Sequence, residues 1–299
     1  MIMGWQILTI SQPARLTLKH KQCVLFLTEK QEEVVVSLDN LSAVILESPA
    51  VTLTSALLQE FSTQQIVIFT CNASHLPNGI LLPYMPYFAF SKMAHKQITW
   101  SEPFKKRLWQ KIIKAKILNQ AHVLRQQYKT ETAEKLTFMA NDIQTGDEKN
   151  VEGKAAALYW RTLFGQSFSR GHETFINSAL NYGYAILRGV VARTLAGNGF
   201  IHCFGVHHCN QLNAFNLADD LMEPLRPLVD AQVLQMELRQ KAELLPEQKR
   251  QLLALLVSEF SFDGQKRSLL NICEQISNSL ALSTEQKDFR LLKLFYYDT

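Results

Sequence analysis

The hydrophobic pattern of this chain changes period once, and that change restricts the fold to two parts of different class. Over the first ninety residues the apolar positions come in short, closely spaced runs rich in β-branched side chains. Residues 15–19, 23–28, 33–38, 43–47 and 66–70 each read as a strand, because branched side chains suit a pleated, half-buried surface. Residues 20–22 read as the turn joining the first two, and 55–61 as one short helix among them. The stretch 76–86 then holds Pro77, Asn78, Gly79, Pro83 and Pro86, residue types that punctuate loops. Beyond it the period becomes helical. Ser101-Glu102-Pro103 reads as a helix start with serine as its cap, and 104–128 carries apolar residues at helical spacing. Further helices are expected at 155–164, 175–195, 219–238, 246–260 and 269–280. The expected class is α+β. An N-terminal β-sandwich domain would cover residues 1–85, a linker 86–100, and a larger all-α catalytic domain 101–299.

A chain of 299 residues is long enough for one large domain or two ordinary ones. Its 47% hydrophobic and 19% charged residues are those of a globular protein, not a disordered or collagenous one. The net charge of +4 permits nucleic-acid binding without requiring it. No apolar run reaches the roughly 18–20 residues of a membrane span, and the N-terminus lacks the basic and apolar regions of a signal peptide. A cytoplasmic protein with no membrane partner is therefore expected. The five cysteines are odd in number and form no CxxC pair, which fits reduced thiols better than a disulfide framework.

The densest chemistry lies between residues 202 and 227. Gly205-Val206-His207-His208 reads as a loop, and Asp220 and Glu223 follow three residues apart at the start of an expected helix. Helical neighbours at that spacing share a face, so both carboxylates could point at one spot. Two acids alone would better fit the first turn of a helix, where they favour the macrodipole. A nearby histidine shifts the balance toward a divalent metal such as Mn²⁺ or Mg²⁺. Glu152, in Asn150-Val151-Glu152-Gly153, is the best third carboxylate, and equally reads as an exposed glutamate opening a helix. A zinc hydrolase built on His202, His207 and Cys209 competes, although no CxxC or HExxH spacing organises those residues.

Basic side chains are grouped as phosphate contacts would be. Lys105, Lys106, Arg107, Lys111, Lys114 and Lys116 fall in one helical stretch around Trp109, either as a DNA-binding face or as a solvated one. Arg161, Arg170, Arg188 and Arg193 add candidates elsewhere, and Arg226 could orient a carboxylate or a phosphate. Asn181 and Tyr184 could position either group, or pack in the core as Tyr182 is expected to. No Walker P-loop, nucleophile elbow or dinucleotide fingerprint is present.

Four segments in this order resemble the CRISPR-associated adaptation endonuclease/integrase family, in a form closest to type II systems. They are Asn150-Val151-Glu152-Gly153 with Ala155, Ala156 and Tyr159; Asn177 through Tyr184; Gly205 through His208; and Phe215 through Pro227. The resemblance implies a β-sandwich followed by a helical catalytic domain that inserts spacer DNA into a CRISPR array. It implies Glu152, His208 and Glu223 as ligands of Mg²⁺ or Mn²⁺, with Asp220 at an additional acidic position of the catalytic set. It implies double-stranded DNA (prespacer and repeat) as partner, a homodimer, and a small second adaptation protein. A type II RNA-guided effector nuclease and a ring-shaped accessory protein are further implied partners. The competing expectation is a non-catalytic nucleic-acid-binding scaffold whose acids are helix caps.

Overall fold

The computed structural model describes residues 6–82, 90–236 and 243–297. The chain divides into two compact units, Met1–Phe90 with Ala196–Gly199 and Ser91–Leu195 with Phe200–Thr299.

The first unit contains β1 (Gln6–Ile10), β2 (Ala14–Lys19), β3 (Gln22–Leu27), β4 (Glu32–Ser37), β5 (Leu41–Leu46), β6 (Val51–Leu53), α1 (Ser55–Thr63), β7 (Val67–Cys71) and β8 (Pro77–Leu81). One four-stranded sheet has the order β1-β5-β7-β8 and the other β4-β3-β2-β6. β2, β3 and β4 are successive antiparallel partners, with Leu16 opposite Leu25 and Leu25 opposite Val34. β1, β5 and β7 run parallel. Ile10, Leu16, Leu25, Val44, Phe61 and Ile68 belong to one buried cluster, so both sheets and α1 feed a single apolar core. β8 runs through Pro77-Asn78-Gly79, where a loop was expected. It is an edge strand, and proline as a first residue has no ladder N–H to lose.

The second unit is mostly helical, and it begins where a linker was expected. α2 (Phe90–Ile98) fills most of 86–100, while 86–89 lie outside the described residues. The Gln97 side chain explains its docking: the amide donates to the carbonyls of Ile201 (2.9 Å) and Phe204 (2.7 Å) and accepts from the Ile201 N–H. α3 (Glu102–Gln126), α4 (Thr130–Asn141), α5 (Val151–Phe164), α6 (Phe175–Gly197), α7 (Asn216–Met222), α8 (Arg226–Leu234), α9 (Pro246–Val257) and α10 (Leu269–Gln286) follow. The helix expected over 219–238 is interrupted by a 3-10 turn at Glu223–Leu225. Pro224 removes an N–H from the helical ladder there, and 237–238 lie outside the described residues.

The second part is not all-α. β9 (Glu259–Phe262) and β10 (Gln265–Ser268) form an antiparallel hairpin with Phe260 opposite Arg267. Asp263 and Gly264 join them at φ 53° and 74°, the two positive values that an Asp-Gly hairpin turn supplies. Among the described residues no helix is long and apolar enough to cross a membrane.

Candidate active site

Asp220 organises the histidine loop. Its side chain is wholly buried on α7. One carboxylate oxygen accepts from the backbone N–H of Val206 (2.5 Å) and His207 (3.0 Å). The other accepts from the backbone N–H of His208 (3.2 Å) and from His208 Nδ1 (2.6 Å). Asn216 closes the loop by donating to the carbonyls of Cys203 and Asn210, both at 3.0 Å. Only glycine fits at 205, because a Cβ there would lie 2.4 Å from the His208 carbonyl oxygen and 2.7 Å from Asp220 Oδ2. With Nδ1 committed to Asp220, Nε2 is the His208 ring nitrogen left for any ligand. The Asp220 hydrogen bond holds the His208 imidazole above its ordinary pKa, against the effect of burial. His207 takes a different place: it stacks on Trp109 at 4.1 Å and 5°, and burial lowers its pKa.

Glu152 and Glu223 meet at a lysine. Lys116 Nζ on α3 lies 2.5 Å from Glu152 Oε1 and 2.5 Å from Glu223 Oε2. Arg226 Nε adds a 2.9 Å pair to the other oxygen of Glu223. Burial alone would raise the Glu223 pKa, but Arg226 and Lys116 outweigh it and hold the carboxyl below its ordinary range. Burial likewise opposes charge on Lys116, and Glu223 and Glu152 reverse it and hold the ammonium above its ordinary value. Glu152 is placed by the start of α5. Asp147 accepts from the N–H of Val151 (2.8 Å) and Glu152 (2.9 Å), and Asn150 caps the helix through Gly153 N–H (3.1 Å). Asn119 fixes the turn behind Glu223 by donating to the carbonyls of Pro224 (2.7 Å) and Phe295 (3.0 Å).

Asp220 and Glu223 therefore do not converge on one spot. α7 ends at Met222, the 3-10 turn re-aims Glu223, and the two acids serve different neighbours. Among the described residues no group of three or more His, Cys, Asp or Glu side chains stands close enough to hold a metal ion. That covers Glu152, His208 and Glu223, whose two carboxylates close on Lys116 instead. It also covers the zinc set: Cys209 is exposed, while His202 lies against Phe215 with its pKa lowered by burial to about 4. The Glu152 and Glu223 carboxylates nevertheless fit a cation, because the Lys116 ammonium already sits between them. Two carboxylates and an imidazole are suitable donors for Mg²⁺ or Mn²⁺.

Lys116 is the residue that sequence reading placed only in a basic run. A signal was available. Ile112, Ile113, Ile117 and Gln120 are buried on the same helix, so a lysine at 116 falls on the apolar stripe and requires an acidic partner.

The expected DNA contacts are dispersed. Lys105 pairs with Glu102 (2.5 Å) and Lys106 with Glu148 (3.0 Å) at the start of α3. Arg107 lies over the Phe289 ring at 5.1 Å. Lys111 is tied to the carbonyls of Arg290 (3.1 Å) and Leu292 (2.7 Å), so its charge supports the C-terminal segment. Arg161 is exposed. Arg188 pairs with Asp219 at 2.7 Å. Arg170 donates to Asn177 and Asn181, both at 2.7 Å, and lies 5.7 Å over Trp160 and 5.4 Å over Tyr184. Asn181 thus positions Arg170. Tyr184 and Tyr159 both donate to the buried carboxyl of Asp230, which burial raises to about 7.

Comparison with known proteins identifies the family of the chain. The family model described as CRISPR associated protein Cas1 matches residues 8–248. The CRISPR-associated endonuclease Cas1 of Neisseria meningitidis serogroup C (strain 8013) is 38% identical over 98% of this chain and 96% of its own length. Among solved structures, a casposase bound to integration product superposes with a TM-score of 0.76 at 18% identity, covering 98% of this chain and 96% of that one. A Cas6-RT-Cas1–Cas2 complex gives 0.78 at 19% identity, with all of this chain spanning 37% of the larger polypeptide.

Proposed function

Because the chain belongs to the CRISPR-associated Cas1 family, we propose that it is a metal-dependent DNA endonuclease and integrase that inserts new spacer DNA into a CRISPR array. The observation that carries this reading is the meeting of Glu152 and Glu223 at one cation, beside a loop in which Asp220 fixes His208 Nδ1.

Glu152, Glu223 and His208 through Nε2 would hold Mg²⁺ or Mn²⁺. When bound, the metal would polarise the scissile phosphate and stabilise charge developing on it. Asp220 acts as a positioning residue by setting the His208 tautomer. Asn119, Asp147 and Asn150 hold the two glutamate-bearing turns in place. The incoming 3′-hydroxyl attacks the phosphate at the repeat boundary in integration and displaces the 3′-oxygen of the repeat strand, which leaves as a hydroxyl; water takes the attacker's place in cleavage. Lys105, Lys106, Arg107 and Arg161 hold the duplex backbone by charge, with little base reading. The two N-terminal sheets form a sandwich. The working assembly includes a homodimer and a small Cas2-like adaptation protein, joined during spacer selection by an RNA-guided effector nuclease and a ring-shaped accessory protein.

Integration assays on Glu152→Ala and His208→Ala test the assignment. Both variants should melt as folded proteins and lose strand transfer by at least a hundredfold. Full strand transfer by either one removes that residue from the site. Absence of cleavage and of Mn²⁺ binding in the wild type, with DNA present, would leave only a DNA-binding scaffold.

A further inference from the structure

We propose that Lys116 is a built-in competitor for the metal, holding the Glu152–Glu223 pair closed until a divalent ion displaces its ammonium. The inference rests on the metal reading above and extends it to a residue with no assigned role.

Three observations carry it. The Lys116 side chain is only 10% exposed, and its ammonium touches one oxygen of each glutamate at 2.5 Å. A buried lysine in that position occupies the space between the carboxylates from which a shared metal would be held. The two carboxylates are also already paired with cations: Glu152 with Lys116, and Glu223 with Lys116 and Arg226. A divalent ion added to that set must compete with these cations, and it is held more strongly if one of them withdraws. Arg226 is the less able to do so, since its guanidinium is also stacked 4.8 Å over the Tyr184 ring. The lysine ends a flexible four-carbon stem with rotatable donors, and can leave a carboxylate without breaking a planar fork. The consequence is a centre that binds metal weakly by itself. It binds more tightly once another anion, such as a DNA phosphate, accepts the released ammonium. Lys116 is thus a positioning residue that acts through the two carboxylates.

The test is a calorimetric titration of MnCl₂ into wild type, Lys116→Met and Lys116→Arg, with and without a short DNA duplex. Lys116→Met should bind Mn²⁺ without DNA at least tenfold more tightly than wild type, with a smaller gain when DNA is added. Lys116→Arg, which keeps the charge, should stay near wild type. A purely structural lysine predicts the reverse, because losing the bridge would splay the carboxylates and weaken binding. Affinity of Lys116→Met equal to or below wild type, with wild type binding Mn²⁺, overturns the inference and leaves the metal reading standing. No Mn²⁺ binding by wild type or Lys116→Met, even with duplex, overturns both. If Lys116→Met does not fold, the wild type decides alone. The Lys116 ammonium resonance in ¹⁵N-lysine-labelled protein should lose its hydrogen-bonded signature at saturating Mg²⁺, and its persistence overturns the proposal.

Discussion

Two regions of the second unit serve their carboxylates by opposite means. In the histidine loop, Asp220 is satisfied by the N–H groups of Val206, His207 and His208 and by one imidazole. At the glutamate pair, Glu152 and Glu223 are ion-paired with the side-chain cations Lys116 and Arg226. Backbone dipoles cannot withdraw without unmaking the loop, whereas an ammonium on a flexible stem can be exchanged for another cation. The first arrangement therefore suits a fixed scaffold, and the second suits a site that must admit a ligand.

Substitution of Asp220 should show the contrast most strongly. Asp220→Ala leaves buried N–H groups and a partly buried imidazole without their acceptor, and should cost about 3–5 kcal/mol in chemical denaturation. A loss below about 1 kcal/mol would break the distinction between the two regions.

Asp230 supplies a third case, a buried acid served by two neutral phenols. Its carboxyl is raised by burial from 3.8 to about 7 in the folded protein. Between those values the unfolded chain releases the proton while the folded chain keeps it. The stability from this group is full below the unfolded value and declines as pH rises toward 7, by up to about 4 kcal/mol. Asp230→Asn has no proton to lose. Melting both proteins from pH 4 to 7 should show the wild type falling relative to the variant, and parallel profiles would show that Asp230 holds no such proton in the fold.

Gly205→Ala should cost about 2–3 kcal/mol, since the added methyl meets both the His208 carbonyl and Asp220. It should also reduce strand transfer by misplacing His208; an active, fully stable variant would mean the loop yields more readily than its hydrogen bonds suggest. The smallest effect on stability is expected from Lys105→Ala with Lys106→Ala, whose ion pairs are solvent-exposed. Melting should not change, while DNA affinity falls and the salt dependence of binding loses a slope of about two. An unchanged salt slope would remove both lysines from the DNA path.

Much of the fold was legible because it depends on local pattern. The strands and helices with strong periodicity lie within a few residues of their expected bounds. The departures have specific causes. The β9–β10 hairpin carried an Asp-Gly turn signal that the helical reading of residues 246–260 passed over. α2 was hidden by the proline-rich stretch before it, and β8 by residues that usually mark loops. In the candidate site, the residue types were legible but their partners were not. A spacing of three residues allowed Asp220 and Glu223 to share a helical face, and nothing local announced that the helix would tighten into a 3-10 turn between them.

The sequence by itself determined the change from strands to helices and the ordered segments around Glu152, His208 and Glu223, because both are written in neighbouring residues. Only the tertiary structure decided which cation each acid meets. Lys116 reaches Glu152 across 36 positions and Asn119 reaches Pro224 across 105. Contacts over such separations are set by how α3 packs against α5 and the Glu223–Leu225 turn. Helical spacing alone cannot assign a buried charge to its partner, since the energy that selects the pairing comes from burial that exists only once the helices are assembled.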